Sequence, residues 1–152
     1  MPTRHPFSTI VLHRTAVMAV LSLVAVTVSA QAREPLGQSS PTLTPAIRVG
    51  NMVYASGQLP TRGENADTTI QGQTRSTLEN VKRVLEMAGT SMPNAVKCTV
   101  FLVDGADFQG MNAVYREFWP VAPPARTTVV VKALVMPGAK LEIECNAAMP
   151  TK

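Results

Sequence analysis

The chain has 152 residues, 14 lysines and arginines against 10 acidic residues, a net charge of +4, two histidines and two cysteines. Both histidines, His5 and His13, lie near the N-terminus, so the rest of the chain lacks the imidazole of Ser-His-Asp or Cys-His catalysis. Cys98 and Cys145 are too few for a structural zinc site, and no Walker loop or dinucleotide-binding glycine pattern is present. The composition therefore argues against histidine-based catalysis, a zinc site and a nucleotide-binding site.

The first thirty residues are predicted to be a secretory signal peptide. Basic Arg4 and Arg14 precede an apolar run, 16–26, that is shorter than the roughly 20 residues of a membrane-spanning helix. Small residues at 28–30 suit cleavage by signal peptidase, and Ala32 offers a second possible cleavage site. This order predicts a periplasmic or secreted protein that is free of the membrane after cleavage; an uncleaved anchor is the alternative. Loss of the leader would lower the net charge to +2, which does not indicate a nucleic-acid-binding surface.

Residues 31–44 contain proline and serine without periodicity and are predicted to be a flexible leader. A single domain is predicted to follow at 45–150. It begins with two short apolar segments, 46–49 and 52–56, joined by Gly-Asn at 50–51. That pattern predicts a β-hairpin with a two-residue turn.

A helix is predicted from Ile70 to Ala88, because apolar residues recur there at three- and four-residue steps. Asp67 or Thr68 is the predicted N-terminal cap, and Gly89 the left-handed residue after the helix. The remaining elements are a strand at 96–103, a helix at 108–119 and strands at 126–135 and 140–148.

The predicted order, ββ-α-β-α-ββ, indicates an α+β fold with both helices packed on one face of a sheet. Along the last strand, apolar residues alternate with Glu142, Glu144 and Asn146. The strand at 126–135 carries apolar residues on both faces, which indicates an interface between subunits.

Arg126 is the strongest candidate for a functional side chain. It follows the stiff segment 123–125, Pro-Pro-Ala, at the start of a predicted strand. A guanidinium held there offers a rigid fork of donors that matches a carboxylate. The alternative is a surface arginine in a weak ion pair.

Two further features could contribute to such a site. Glu142 and Glu144 share one face of the last strand, where a carboxylate can hold and polarise a water; charge that protects an exposed edge is the alternative. Gly57 follows Ser56 at a strand end and allows a ligand to approach the backbone closely, unless it only ends the strand.

Cys98 and Cys145 lie on two different predicted strands. An oxidising compartment would permit a disulfide between them. We favour two buried free thiols, because a disulfide between paired strands needs particular geometry.

Several short motifs, in this order and spacing, resemble the RidA family of YjgF-like reactive intermediate, or imine, deaminases. The resemblance covers residues 46–148. The motifs are Arg48-Val49-Gly50-Asn51, Ser56-Gly57-Gln58, Glu79-Asn80-Val81, Lys97-Cys98-Thr99-Val100-Phe101, Met111-Asn112, Pro124-Ala125-Arg126-Thr127 and Lys140-Leu141-Glu142-Ile143-Glu144.

The resemblance implies a chorismate-mutase-like fold, a homotrimer whose sheets form a central barrel, and ligand sites in the clefts between subunits. It implies hydrolysis of 2-imino acids to 2-keto acids and ammonia without a cofactor. Arg126 matches the family residue that binds the substrate carboxylate, and Glu142 the one that positions water. The implied pocket residues are Ser56, Gly57, Asn112 and Thr128.

Two features depart from the family pattern. Thr128 stands where a cysteine is common, at a position that contributes chiefly its backbone. Leu43 stands where an aromatic residue often precedes the first hairpin. The alternative function is a non-catalytic binder of small carboxylates, or a holdase-type protein, that uses the same cleft.

Overall fold

The protein is described by a computed structural model over residues 31–151. The predicted signal peptide lies outside the described residues. The described part forms one six-stranded sheet and two α-helices. The strands are β1 (Arg33–Leu36), β2 (Ala46–Val49), β3 (Met52–Ala55), β4 (Ala95–Leu102), β5 (Ala125–Val130) and β6 (Leu141–Ala148); the helices are α1 (Ile70–Met87) and α2 (Phe108–Phe118). Single 3₁₀ turns occur at Met92–Asn94 and Gly105–Asp107.

The strand order across the sheet is β1-β2-β3-β6-β4-β5. Among the described strands only the β4–β5 pair is parallel, and α2 supplies the crossover connection that a parallel pair requires. The other pairs are antiparallel. The predicted hairpin is confirmed, because Val49 faces Met52 across the two-residue turn.

Both helices pack on one face of the sheet, as predicted. The alternation of β6 is confirmed, since the residues that face the helices are fully buried: Leu141, Ile143, Cys145 and Ala147. Leu78 and Leu85 of α1 belong to the same core. Glu142 and Glu144 are half-buried on the opposite face. The sheet thus separates an apolar helix face from a more polar one.

The cap of α1 differs from the prediction by one or two residues. The Thr69 hydroxyl, not a side chain of Asp67 or Thr68, accepts a hydrogen bond from the Gly72 N–H at 3.1 Å. Asp67 instead accepts from the Thr69 N–H at 2.8 Å. Asp67 therefore holds the residue that caps the helix. The left-handed position of Gly89 is confirmed, with φ of 81°.

The prediction of a flexible leader is wrong for Arg33–Leu36, which forms β1 and pairs with β2. This strand lies at the edge of the sheet and is largely exposed, so its sequence shows no alternation of apolar and polar residues. Pro35 suits an edge strand, where one row of backbone groups has no ladder partner.

The strand predicted at 126–135 is also wrong in length, because β5 ends at Val130. Its neighbour β4 ends at Leu102, which lies opposite Val130. Beyond that point only the Val131 N–H still donates to the Leu102 carbonyl, at 2.8 Å. The apolar run continues to Val135, but no strand within residues 31–151 pairs with it.

Cys98 and Cys145 form a disulfide, which corrects our preference for free thiols. The two residues lie directly opposite each other on antiparallel β4 and β6. Both side chains point into the core and are fully buried. The register of the two central strands brings the sulfur atoms together, and this register is not visible in either segment alone. None of the helices in residues 31–151 is both long and apolar enough to cross a membrane.

Candidate functional site

Arg126 lies on the helix face of edge strand β5, because it pairs in register with buried Cys98. Its guanidinium carbon lies 4.6 Å from the ring centre of Tyr115 and 5.8 Å from that of Phe108, both on α2. Its Nη1 also lies 3.8 Å from the Met111 Sδ. Contacts between a cation and aromatic faces stabilise the charge and restrict the side chain. Helix α2 therefore holds the guanidinium in place.

A cavity of about 370 Å³ opens beside this guanidinium. Residues on one face of α2 form one wall, and the segment that leads into β5 forms the other. They are Asn112, Tyr115, Arg116, Trp119, Pro123, Pro124 and Arg126. No acidic residue is among them. Within residues 31–151 the ion pairs are Arg75–Glu117 and Lys140–Asp107, so Arg126 is available to an anionic ligand.

The cavity wall is fixed by buried aromatic side chains. Trp119 donates from its indole Nε1 to the Met92 carbonyl at 2.8 Å, and its ring centre lies 4.7 Å from that of Tyr115. Burial raises the pKa of the Tyr115 phenol to about 12, although the positive charge of Arg126 lowers it. Tyr115 therefore stays neutral at physiological pH and supports Arg126 as an uncharged platform.

Thr128 lies two residues beyond Arg126 on the same face of β5. Its hydroxyl is buried and has no hydrogen-bond partner among the described residues. The side chain points between the sheet and the helices, so the structure does not expose it to the cavity. The structure therefore gives the Thr128 side chain no direct role at the cavity.

Glu142 lies elsewhere, on the opposite face of the sheet and close to Gly57. A methyl group at residue 57 would overlap the Glu142 Oε1, so a larger residue there would displace the end of the Glu142 side chain. The strands are tied at this point by two backbone bonds between Gln58 and Ile143, at 2.8 and 3.0 Å. Gly57 therefore leaves room for the Glu142 carboxyl group in its present position.

The Ser56 hydroxyl makes a hydrogen bond within the chain. It donates to the Thr44 carbonyl at 2.7 Å, and the Ser56 N–H donates to the Pro45 carbonyl at 2.9 Å. These bonds fix the segment that follows Leu43. The side chain of Leu43, 57% exposed, remains open to solvent or to another molecule.

Burial raises the pKa of the Glu142 carboxyl group above its ordinary value, and the nearby negative charge of Glu144 raises it further. Both causes disfavour the charged form. Glu142 therefore takes up a proton at a higher pH than an ordinary glutamate does. Shifted carboxyl pKa values cluster at functional sites, and this shift agrees with the role predicted for Glu142.

A reaction that needs the Glu142 carboxylate should slow as pH falls through this raised pKa. Glu144→Gln removes the neighbouring negative charge and should lower the pKa of Glu142, so the acidic fall in kcat/KM should move to lower pH. The pH profile of kcat/KM on one substrate measures this, because the titration of the substrate is then common to all variants. Glu79→Gln, on the exposed side of α1, is the control. An identical pH profile for Glu144→Gln and wild type would contradict the effect of the Glu144 charge on the pKa of Glu142.

Five of the six predicted site residues, all except Ser56, thus form two groups within one chain. Arg126, Asn112 and Thr128 belong to the helix side, and Gly57 and Glu142 to the other side of the sheet. Strands β5 and β6 are separated by β4, a lateral distance of about 9–10 Å. Sequence analysis did not separate these groups. It also missed Tyr115 and Arg116 as cavity residues, although their spacing from Asn112 on α2 places all three on one helix face.

A family model described as endoribonuclease L-PSP matches residues 33–149. The chain belongs to this family, the YjgF/RidA family. The predicted RidA resemblance is confirmed. The match also includes β1, which sequence analysis had left out of the domain.

Relatives of known name support the assignment to the YjgF/RidA family. The chain is 44% identical over 106 residues to the mitochondrial protein mmf2 of Schizosaccharomyces pombe, covering 68% of this chain and 84% of that protein. It is 37% identical over 107 residues to Reactive Intermediate Deaminase A, chloroplastic, of Arabidopsis thaliana, covering 68% of this chain and 57% of that protein. The chain thus spans little more than half of the plant relative's length.

A solved structure of a YjgF-family protein from Neisseria meningitidis matches the fold with a TM-score of 0.71. Sequence identity is 25%, and the match covers 82% of this chain and all of the other. The predicted fold, two helices on one face of the sheet as in YjgF-family, chorismate-mutase-like proteins, is confirmed.

Proposed function

We propose that this YjgF/RidA-family protein hydrolyses 2-imino acids and their enamine tautomers to 2-keto acids and ammonia. The substrates would include 2-aminoacrylate, 2-iminopropanoate and 2-iminobutanoate. The observation that carries the proposal is Arg126, held by two aromatic rings in a cavity without acidic residues. Such an arginine binds a carboxylate through two parallel hydrogen bonds. The name of the Arabidopsis relative points to the same reaction class.

The proposed reaction needs orientation and charge rather than a cofactor. Arg126 binds the substrate carboxylate and fixes the adjacent imine carbon, which is electrophilic once its nitrogen is protonated. A water held by Glu142 adds to that carbon while the carboxylate accepts its proton. Glu142 then returns that proton to the amine nitrogen, and the tetrahedral adduct expels ammonia. The hydroxyl group loses its proton to solvent, and a C=O group replaces the C=N group. Positioning and electrostatic complementarity account for the rate enhancement.

The site would be shared between two subunits. The carboxylate of a 2-imino acid is bonded directly to the reacting carbon. The protein's guanidinium, which binds that carboxylate, and its glutamate, which holds the water, must therefore lie close together. Within one chain, Arg126 and Glu142 lie on opposite faces of the sheet and two strands apart. We therefore propose that Arg126 of one subunit faces Glu142 of the next.

A homotrimer would supply such an arrangement at each of its equivalent interfaces. Strand β5 supports this proposal, because one of its edges has no partner strand in the described chain. Its last residues also expose apolar surface, with Val129 39% and Val130 60% exposed. Exposed apolar residues on an open strand edge are typical of surfaces that pair with another subunit.

The proposed reaction is tested by supplying 2-aminoacrylate from a pyridoxal-phosphate-dependent dehydratase. The protein should speed the formation of pyruvate beyond the spontaneous rate. No acceleration together with retained keto-acid binding would favour the alternative, a non-catalytic binder or holdase that uses the same cleft. An RNA-cleaving role is not proposed, because the chain beyond residue 30 lacks histidine and is nearly balanced in charge.

We further propose that the protein is exported to the periplasm or secreted after cleavage of a signal peptide. Its basic and apolar leader motivates this proposal, and the disulfide between Cys98 and Cys145 supports it, because disulfides persist mainly in oxidising compartments. The names of two relatives instead refer to mitochondria and chloroplasts.

Mass spectrometry of the protein from its native cells should find a mature N-terminus at Gln31 or Arg33, in a periplasmic or extracellular fraction. An intact Met1 in a cytosolic fraction would contradict export. A processed protein in an organelle would show that the leader is a transit peptide.

A further inference from the structure

The cavity beside Arg126 is lined by a second arginine, Arg116 on α2. Neither arginine takes part in the ion pairs of residues 31–151, and no acidic residue lines the cavity. Two like charges that share a cavity repel each other, and an anion between them relieves the repulsion. The cavity therefore favours a ligand with more than one negative charge.

The orientation of Arg116 distinguishes it from an arginine that merely stabilises the end of a helix. A cation near a helix C-terminus normally interacts with the last free carbonyls. Arg116 instead points back along α2, since its Nε donates to the Asn112 carbonyl at 3.3 Å. This bond places the guanidinium beside Asn112, another cavity residue, and leaves both terminal amino groups available to a ligand.

The cavity of one chain has room for a longer substrate. Its volume of about 370 Å³ lies within the range of pockets that hold drug-sized ligands. A three- or four-carbon imino acid bound to Arg126 would fill only part of it. The space that remains is bordered by Arg116.

We propose that Arg116 determines specificity for 2-imino acids that carry a second carboxylate on their side chain. Arg126 binds the carboxylate next to the imine carbon, and Arg116 binds the distal one. The inference rests on the proposed function, because it names the substrate class of that same site. Arg116 takes no part in the chemical step and contributes only to recognition.

The test compares imines made in the assay by amino-acid oxidases from glutamate or aspartate with imines made from alanine or 2-aminobutyrate. Arg116→Gln should lower kcat/KM for the dicarboxylic imines by about tenfold or more, the effect of one hydrogen bond between charged groups. It should leave kcat/KM for the monocarboxylic imines within about twofold. Arg83→Gln, an exposed arginine of α1, is the matched control and should change neither.

Calorimetric binding of 2-oxoglutarate and 2-oxobutyrate supplies a readout that does not depend on turnover. Arg116→Gln should weaken only the binding of 2-oxoglutarate. If that occurs but no imine is hydrolysed by wild type, the proposed function fails and the role of Arg116 stands. If wild type hydrolyses monocarboxylic imines and Arg116→Gln affects both substrate classes equally or neither, the role of Arg116 is overturned and the proposed function stands.

Discussion

Replacement of Arg126 by alanine should lower the rate of 2-imino acid hydrolysis by about a hundredfold or more. A charged hydrogen bond contributes roughly 1.5–3 kcal/mol, and each ~1.4 kcal/mol changes a rate tenfold. The guanidinium is expected to make two such bonds to the substrate carboxylate. The measurement is imine decay in the presence of each variant, with keto-acid binding measured by calorimetry.

Arg126→Lys separates charge from geometry. Lysine keeps the positive charge beside Tyr115 but loses the planar fork, so this variant should also be impaired. Glu142→Gln should reduce turnover while it leaves keto-acid binding largely intact, because it affects the water rather than the carboxylate. Near-wild-type turnover in Arg126→Ala would place the reaction elsewhere, and unchanged keto-acid binding would reject Arg126 as the carboxylate ligand.

Loss of the disulfide should produce the second large effect, on stability. Cys98 and Cys145 are separated by 47 positions in the chain, and a cross-link of that span stabilises a fold by about 2–4 kcal/mol, chiefly by restricting the unfolded chain. The variant with both cysteines changed to alanine should therefore unfold at a temperature lower by on the order of 10 °C.

Thermal unfolding with and without a reducing agent measures this effect. The reducing agent should destabilise wild type and leave the double variant unchanged. The double variant thus controls for any effect of the reducing agent other than reduction of the disulfide. Mass spectrometry of the oxidised protein should show no free thiol. Two alkylatable thiols in protein purified without reductant would contradict the disulfide.

Local sequence patterns predicted most of the helices and strands of this fold. The three- and four-residue steps of α1 and the strict alternation of β6 depend on burial of one face, which leaves a signal in the sequence itself. Strand β1 left no such signal, because an exposed edge strand buries neither face. The end of β5 depends on the end of β4 at Leu102, so the apolar run up to Val135 was misleading.

The candidate site was less predictable than the fold, because it depends on register and on which face of the sheet each residue occupies. Arg126 and Glu142 could be identified from residue type and family motifs. Their positions on opposite faces of the sheet follow from the pairing of β4 with β5 and β6, which no single segment of the sequence encodes. The contact between Gly57 and Glu142 and the position of Arg116 in the cavity likewise arise from segments distant in sequence.

The central claim is that each site combines Arg126 of one subunit with Glu142 of another. Subunit complementation tests it directly. Arg126→Ala and Glu142→Gln chains with different tags are co-expressed, and mixed oligomers are purified through both tags. In a mixed trimer, about one site in three would then regain both wild-type residues.

The mixed trimers should therefore recover about a third of wild-type turnover, although each parent variant alone is nearly inactive. The control is a chain that carries both substitutions, co-expressed and purified with wild type in the same way. Each doubly substituted subunit disables two sites of a trimer. The turnover of these trimers should therefore be lower than the share of wild-type subunits in them. Turnover of the mixed Arg126→Ala and Glu142→Gln trimers no higher than that of the two parents would contradict a shared site.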